Sequence, residues 1–393
     1  MPSLHSFRAA RVLAGMAAAG ALLLSPATTL PAAAAPAPAA TPALSSVGLC
    51  GSPQAGHRAC MVRVVTANGK RVTTRLSNTA PSSGYSPADV QSAYGIGGSS
   101  GGSNQTVAVI DAYDNPNAEA DLALYRTTWN LPPCTTANGC FRKTNQSGGA
   151  SPLPPAASTT NRNDPSYGWG SEIDLDIQAV SAACPLCHIL LIEGASSADS
   201  DFMASIATAP SLGASELSLS WGGCESPSGQ VQFDNTLNNA GLPITASSGD
   251  FGYMSASNPY QQNANTSCPS AGSPSFPASS PYVTAVGGTS LAKNGGTARG
   301  WTETAWEYSA TPAHIWGGGS GCSTNESKPA WQVDSGCAKR TVADVSADAD
   351  PNTGLAVYDT WDSTGWGVFG GTSLSAPLIA AIYALSGGEP AGL

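Results

Sequence analysis

The residue of this chain best placed for chemistry is a serine that stands between a glycine turn and an apolar run. Ser373 follows Gly370-Gly371-Thr372, and the residues from Leu378 to Leu385 are almost all apolar. Glycines permit a sharp turn, and a helix start offers unpaired N–H groups and a positive dipole end to a developing oxyanion. The pattern is typical of a presented nucleophile, and it is equally compatible with a serine that caps the helix.

The tetrapeptide Gly-Gly-Thr-Ser occurs twice, so the chain contains its own comparison. The first copy ends at Ser290, after the strand-like run 282–286, and polar glycine-containing sequence follows it. No helix pattern begins there. We therefore predict that Ser290 is a turn residue and that only Ser373 starts a helix.

Histidine is the usual base for a serine nucleophile, but the four histidines stand in unsuitable contexts. His5 lies in the N-terminal export pattern and His57 in the segment before the main domain. His188 begins an apolar strand, and His314 sits in a loop near Trp316. A Ser-His-Asp arrangement is therefore disfavoured.

Two carboxylates offer a better base. Glu172 and Asp176 are four residues apart, so on a helix they share one face, while Ile173, Leu175 and Ile177 help to cover the other. Two like charges this close share a proton and one pKa rises, which suits acid–base catalysis in acid. The alternative is a solvated acidic first turn, which the helix dipole favours. A calcium loop is disfavoured because no glycine turn follows.

A third carboxylate, Asp250, lies in a glycine-flanked turn just after a strand-like run. When protonated, it could donate a hydrogen bond to a tetrahedral oxyanion. An unperturbed aspartate has a pKa of about 3.9, so this role requires acid or a raised pKa. The alternative is an ordinary turn aspartate.

The run Ser220-Trp221-Gly222 ends another strand-like segment. Its backbone could pair with an extended peptide, and the glycine would admit a side-chain pocket. A buried core strand is the alternative interpretation.

Composition limits the class of protein. The chain has 393 residues, of which 11% are charged and 41% hydrophobic, and its formal net charge is −10. Charged residues usually make up roughly 25% of a protein, so this composition is typical of a compact, loop-rich secreted protein and not of a disordered one. Nucleic-acid binding is disfavoured because it requires clustered Lys and Arg.

The N-terminus has the pattern of an export signal. Arg8 and Arg11 precede the apolar run 12–24, and small residues follow. We assign 1–35 to a signal peptide and 36–84 to a linker and short pro-segment. The apolar run is too short to span a bilayer and no later segment is apolar enough, so we expect a secreted, extracellular protein without a membrane segment.

Ten cysteines in an exported chain favour disulfides over metal sites. A zinc or redox motif at Cys184–Cys187 is disfavoured because no second cysteine pair has suitable spacing. Sequence order leaves the connectivity open, and proximity suggests the pairs Cys50–Cys60, Cys134–Cys140, Cys184–Cys187, Cys322–Cys337 and Cys224–Cys268.

The elements that must position these residues alternate along the chain. The sequence predicts a hairpin across Asn68-Gly69, then an α/β domain with a parallel sheet covered by helices on both faces. The predicted strands are 106–111, 188–193, 216–221, 243–247 and 283–287. The predicted helices are 116–129, 171–183, 199–207, 230–239 and one that follows Ser373. Sites in such sheets collect at the carboxyl ends of the strands.

Four patterns occur in one order: Glu-x-x-x-Asp, Ser-x-Ser-Trp-Gly, Ser-Gly-Asp and Gly-Thr-Ser-x-Ser-Ala-Pro. This order resembles the sedolisins, serine-carboxyl peptidases with a subtilisin-like fold. The run Tyr85–Gln91 also resembles the start of their catalytic domain, so we assign 85–393 to a sedolisin-like domain, with the resemblance covering about 85–385.

The resemblance implies a role for each matching residue. Ser373 would be the nucleophile and Glu172 its general base. Asp176 would orient Glu172, and Asp250 with the Ser373 N–H would form the oxyanion hole. Asp111 matches the aspartate position of subtilisins, and a catalytic role is not implied for it.

The resemblance also implies calcium, held by segments downstream of the serine helix. This sequence ends at Leu393, and Glu389 is the only acidic residue after Ser373. We therefore locate no metal ligands and expect either a C-terminally truncated fragment or a shortened variant. The pro-segment, at about 36–84, is also shorter than the long folded propeptide of the family.

Together these patterns predict a monomeric, secreted serine-type endopeptidase that hydrolyses proteins or peptides at acidic pH. The alternative is an inactive exported protein that binds peptides on the same fold.

Overall fold

The structure is a computed structural model, and it describes residues 44–50, 56–67, 70–75, 79–98, 101–225, 227–253, 274–308 and 316–387. The predicted signal peptide, the turn residues Asn68 and Gly69, and His314 lie outside the described residues. The described ranges all belong to one unit, Pro42–Leu393.

Twenty-one strands and six α-helices make up the described chain. The strands are β1 (Leu44–Gly48), β2 (Ala59–Cys60), β3 (Arg63–Ala67), β4 (Lys70–Arg71), β5 (Thr73–Arg75), β6 (Thr106–Ala112), β7 (Phe141–Asn145), β8 (His188–Gly194), β9 (Glu216–Leu219), β10 (Trp221–Cys224), β11 (Ile244–Ser247), β12 (Phe251–Tyr253), β13 (Ser275–Phe276), β14 (Thr284–Lys293), β15 (Trp301–Ala305), β16 (Glu307–Tyr308), β17 (Trp316–Cys322), β18 (Thr341–Val342), β19 (Val345–Asp348), β20 (Leu355–Asp359) and β21 (Gly365–Gly370). The helices are α1 (Pro87–Tyr94), α2 (Ala118–Thr128), α3 (Trp169–Ala183), α4 (Asp199–Thr208), α5 (Pro227–Asn239) and α6 (Thr372–Leu385).

The largest sheet follows the order β15-β14-β11-β9-β6-β8-β7, and β19 pairs with β14. All neighbours from β14 to β7 run parallel, whereas β15 is antiparallel at its edge. Short apolar runs form these strands because both of their faces are buried, as in β6, where Val107 to Ile110 are inaccessible to solvent. The predicted α/β class is confirmed.

The helices pack in two groups against this sheet. Helices α3 and α6 contact each other and lie over β6, while α6 extends over β9, β11 and β14. Helices α4 and α5 contact each other, and α4 lies against β6 and β8. Every side chain of α3 is buried, because sheet and helices enclose it. None of the helices in the described ranges is long and apolar enough to cross a bilayer.

Residues before the predicted domain contribute strands to a second sheet. Strands β1 and β3 pair antiparallel, and β3 pairs with β21, which leads directly into α6. The predicted hairpin is present as β3 and β4, with Thr66 opposite Arg71. The segment therefore reaches the start of the serine helix.

Four predicted disulfides are present: Cys50–Cys60, Cys134–Cys140, Cys184–Cys187 and Cys322–Cys337. The fifth predicted pair involves Cys268, which lies outside the described residues. The prediction of a turn at Ser290 is wrong. That residue lies within β14, where the strand continues through both glycines because β15 and β19 pair with it there.

Candidate active site

Ser373 lies in the first turn of α6, as the sequence predicts. The helix begins at Thr372, and the residue before it, Gly371, has φ 93°, a conformation that favours glycine. The Ser373 hydroxyl is fully buried and donates a hydrogen bond to the Ser220 carbonyl oxygen at 3.1 Å. Pro377 lies inside the helix and has no N–H, so it leaves the Ser373 carbonyl without its helical donor. The Ser220 hydroxyl approaches this carbonyl at 3.4 Å.

Asp250 follows β11 and caps the start of α6. Its Oδ1 accepts hydrogen bonds from the Thr372 N–H at 2.8 Å and from the Thr372 hydroxyl at 2.9 Å. Burial raises the pKa of Asp250 to about 6, although the Arg63 charge and the Thr372 donors oppose the rise. The Asp250 carboxyl group therefore gains a proton in mildly acidic solution. It lies next to the candidate nucleophile, because its partner Thr372 directly precedes Ser373.

Glu172 and Asp176 lie in the first two turns of α3, and neither is exposed to solvent. The alternative of a solvated acidic turn is therefore wrong. Burial, followed by repulsion from Asp111, raises the pKa of both groups well above the ordinary range. The Asp176 carboxylate accepts a hydrogen bond from the Ser220 hydroxyl at 2.8 Å.

The carboxylate of Glu172 has no hydrogen bond of standard geometry within the described residues. The Ser373 hydroxyl and the Val62 N–H nevertheless lie close enough to lower its pKa, against the larger effect of burial. Glu172 is thus the buried carboxylate next to the Ser373 hydroxyl. This placement is compatible with a base that takes the hydroxyl proton.

Asp111, which the sequence matched to the aspartate position of subtilisins without a catalytic role, lies close enough to Glu172 and Asp176 to raise the pKa of both. It lies near the end of β6, fully buried, and neither of its oxygens has a hydrogen-bond partner in the described part of the chain. Burial raises its pKa to about 8. Its position at the carboxyl end of a parallel strand was the available signal.

The edge formed by Ser220, Trp221 and Gly222 is occupied by the chain's own β2. The Met61 N–H donates to the Ser220 carbonyl oxygen at 3.2 Å. Trp221 lies opposite Cys60 and Gly222 opposite Ala59 in an antiparallel pair. A peptide that binds this edge would have to replace residues 59–61.

Met61 also approaches the glycine turn before Ser373. A Cβ atom added to Gly371 would collide with the Met61 carbonyl oxygen and would lie 2.9 Å from Asp250 Oδ2. A Cβ added to Gly222 would lie 3.2 Å from the Met61 Cε atom. Residue 61 therefore fills the space between the candidate nucleophile, the Asp250 carboxyl and the predicted peptide edge.

The Trp221 side chain packs in the core, which fits the buried-strand alternative. Its Nε1 donates to the Ile110 carbonyl at 2.7 Å, and its ring stacks on Phe202 with 3.8 Å between centroids. Its backbone remains part of the predicted edge.

No histidine in the described ranges is hydrogen-bonded to Ser373. His57 is paired with the Ser197 hydroxyl, and His188 lies at the exposed start of β8. After α6 the described residues are Ser386 and Gly387, which offer no carboxylate for the calcium site that the resemblance implies.

A parallel sheet, a serine at the start of a buried helix and carboxylates at the strand ends define a subtilisin-like α/β protein. Pseudomonas sedolisin, a serine-carboxyl proteinase solved with two molecules of pseudo-iodotyrostatin, matches this fold with a TM-score of 0.61 and 24% identity. The match covers 78% of this chain and 81% of that one.

Sequence comparison gives the same family. The chain is 30% identical to kumamolisin of Bacillus sp. (strain MN-32), covering 78% of this chain and 53% of that protein. It is 28% identical to sedolisin of Pseudomonas sp. (strain 101), covering 80% and 52%. No family model matches. Both relatives support the sedolisin family for this chain, which spans about half the length of the curated relatives it matches.

Proposed function

We propose that this chain is a secreted serine-type endopeptidase that hydrolyses proteins or peptides at acidic pH. The observation that carries the proposal is the burial of Ser373, Glu172, Asp176 and Asp250, together with Ser220, which accepts from the Ser373 hydroxyl through its carbonyl oxygen and donates to Asp176 through its hydroxyl. The four residues come from three sequence patterns that lie far apart in the chain: Glu172 and Asp176 from one, Asp250 from the second and Ser373 from the third. The N-terminal pattern and the disulfides support export, and we expect a monomer.

In the proposed reaction, the Ser373 Oγ attacks the peptide carbonyl carbon while Glu172 takes the hydroxyl proton. The tetrahedral oxyanion would accept a hydrogen bond from protonated Asp250 and from the Ser373 N–H at the start of α6. Collapse breaks the C–N bond, and Glu172 returns the proton to the leaving amine. Water then hydrolyses the acyl-enzyme by the same proton transfers, with Asp176 and Ser220 holding the base in position.

The occupied edge indicates how a substrate would bind. An extended peptide would add to β10 as β2 does, with one N–H directed to the Ser220 carbonyl and the following carbonyl beside Gly371. The described conformation is therefore a closed one, and activity requires residues 59–61 to leave this edge.

The test is hydrolysis of a denatured protein at about pH 4 and about pH 7, the lower value lying near the free carboxyl pKa values. Wild type, Ser373→Ala and Ser290→Ala are compared. Ser290 is the matched control because it ends the same tetrapeptide but lies in β14, where its hydroxyl bonds to Asp350 at 2.8 Å. We expect activity in acid that Ser373→Ala abolishes and Ser290→Ala retains. Full activity in Ser373→Ala would disprove the assignment.

The second candidate is an inactive exported peptide-binding protein on the same fold. It is favoured by the burial of all four candidate catalytic residues and by the pairing of the chain's own β2 with the predicted peptide edge. A folded wild-type chain that hydrolyses nothing at either pH, but binds an extended peptide, would support this candidate.

A further inference from the structure

A second group of carboxylates lies apart from Ser373 and has no role in the proposed reaction. Asp121 on α2, Asp174 on α3 and Asp359 at the end of β20 each direct a carboxylate to a common point. One oxygen from each lies within 4.8 Å of the other two. The three residues are at most 2% exposed. Three elements that are distant in sequence therefore converge on one buried acidic site.

Hydrogen bonds fix two of the three side chains. Thr360 donates to Asp121 from its N–H at 2.8 Å and from its hydroxyl. Asp359 accepts from the Ser171 hydroxyl at 2.6 Å and from the backbone N–H groups of Trp361 and Asp362. These contacts hold the two carboxylates in place.

Asp174 has a different environment, and it supplies the second observation. Its Oδ2 accepts from the Asn115 side-chain amide at 2.9 Å, but its Oδ1 has no partner among the described residues. The side chain is completely buried and points to the other two carboxylates. A buried oxygen without a donor costs free energy unless an ion or another group satisfies it.

No basic side chain in the described ranges forms an ion pair with this group within 4.0 Å, although the Arg71 charge opposes the rise that burial causes in the pKa of Asp359. The nearby Arg71 is directed to the Asp362 carbonyl at 2.6 Å and to the Tyr167 hydroxyl at 3.1 Å. Burial raises the pKa of Asp174 most, and repulsion from Asp121, Asp359 and the nearby Asp362 adds to the rise.

We propose that Asp121, Asp174 and Asp359 bind a divalent cation, with Ca²⁺ preferred. Carboxylate oxygens are hard ligands, and Ca²⁺ binds them at about 2.3–2.6 Å in flexible geometry. Three oxygens that are mutually within 4.8 Å can therefore reach one such ion. Mg²⁺ is disfavoured because it requires shorter distances of about 2.0–2.1 Å and a near-ideal octahedron.

The location gives the ion a structural role. It would link α2 and β20 to the early part of α3, whose other face carries Glu172 and Asp176. These residues all precede α6, so this site differs from the downstream calcium site that the family resemblance implies. The inference does not depend on peptidase activity.

Thermal unfolding of the purified chain tests the proposal, at about pH 7.5 because metal binding requires the carboxyl groups to release their protons. Wild type, Asp174→Asn and Glu216→Gln are each measured in EDTA and after addition of Ca²⁺ or Mg²⁺. Glu216 is the matched control, because it is a buried carboxyl on β9 whose oxygens also have no partner in the described part of the chain. We expect Ca²⁺ to raise the unfolding temperature of wild type and Glu216→Gln, and not of Asp174→Asn.

Direct binding keeps the proposal testable if Asp174→Asn fails to fold. Tb³⁺ serves as a luminescent substitute for Ca²⁺, sensitised by Trp361, whose backbone N–H bonds to Asp359. We expect wild-type luminescence that Ca²⁺ displaces, and a loss of affinity of roughly 100-fold or more in Asp121→Asn. Wild type without a Ca²⁺ response or Tb³⁺ luminescence would overturn the proposal. A Ca²⁺ response unchanged in Asp174→Asn would also overturn it. Ca²⁺ would then bind elsewhere, and the three carboxyl groups would share protons in place of a cation.

Discussion

The backbone N–H of Met61 donates a hydrogen bond to the Ser220 carbonyl oxygen at 3.2 Å, the same oxygen that accepts the Ser373 hydroxyl. One carbonyl thus joins the candidate nucleophile to a residue from the N-terminal segment. The chain occupies its own candidate peptide edge through this contact and through the pairing of β2 with β10.

Met61→Pro is expected to weaken this closed state, because proline removes the N–H that bonds to Ser220. A net hydrogen bond contributes about 1 kcal/mol, so we expect peptide hydrolysis in acid to rise about fivefold. Met61→Ala is the control, since it shortens the side chain but keeps the N–H. Steady-state rates on one peptide measure the effect, and equal rates in the two variants would argue against a role for this hydrogen bond in closure.

Asp250→Asn is expected to extend activity towards neutral pH. Burial raises the pKa of Asp250 to about 6, so wild type holds the donating proton below that pH and loses it above. An amide donates a hydrogen bond at every pH, so the variant should stay partly active. Its activity should not fall near pH 6 as that of wild type does. Profiles of kcat/KM against pH for both proteins measure this. If kcat/KM of the variant fell at the same pH as that of wild type, the oxyanion role of Asp250 would be contradicted.

Glu216→Gln is expected to stabilise the fold in weak alkali but not in acid. Burial raises the pKa of Glu216 to about 8, whereas a glutamate in an unfolded chain titrates near 4.3. The folded chain therefore binds the proton more tightly, and stability falls as pH rises between these two values. The two pKa values differ by about 3.7 units at about 1.4 kcal/mol each, so we expect a gain on the order of 5 kcal/mol at about pH 8 and little change at about pH 4. Urea unfolding at both pH values measures it, and an equal gain at both would exclude this titration as the cause.

Much of the fold and of the site could be predicted from the sequence, because local patterns carried the information. Buried apolar runs marked strands such as β6 and β8, and the glycine turn before Ser373 marked the start of α6. The spacing of Glu172 and Asp176 placed them on one helix face.

Long-range contacts could not be predicted in this way. Nothing local in residues 59–61 indicates that they pair with β10, since that depends on where the sheet brings Gly222. Asp121 and Asp359 are likewise 238 positions apart, from their numbers in the chain, and only the packing of α2 against β20 brings them together. Ser290 shows the opposite failure, because strand pairing overrode a local turn pattern.

Ser220→Ala is expected to affect both stability and catalysis, because the Ser220 hydroxyl holds Asp176 at 2.8 Å. Its removal leaves a buried carboxyl without that donor, at a cost of about 1–3 kcal/mol. The hydrogen bond also lowers the pKa of Asp176, so its loss raises that pKa further and disturbs the neighbouring Glu172.

Ser218→Ala is the matched control, since the buried Ser218 hydroxyl on β9 has no partner within the described residues. We expect urea unfolding to show a loss for Ser220→Ala and little change for Ser218→Ala, with a lower kcat and an unchanged KM in the former. Equal losses in the two variants would mean that packing, and not the bond to Asp176, accounts for the effect.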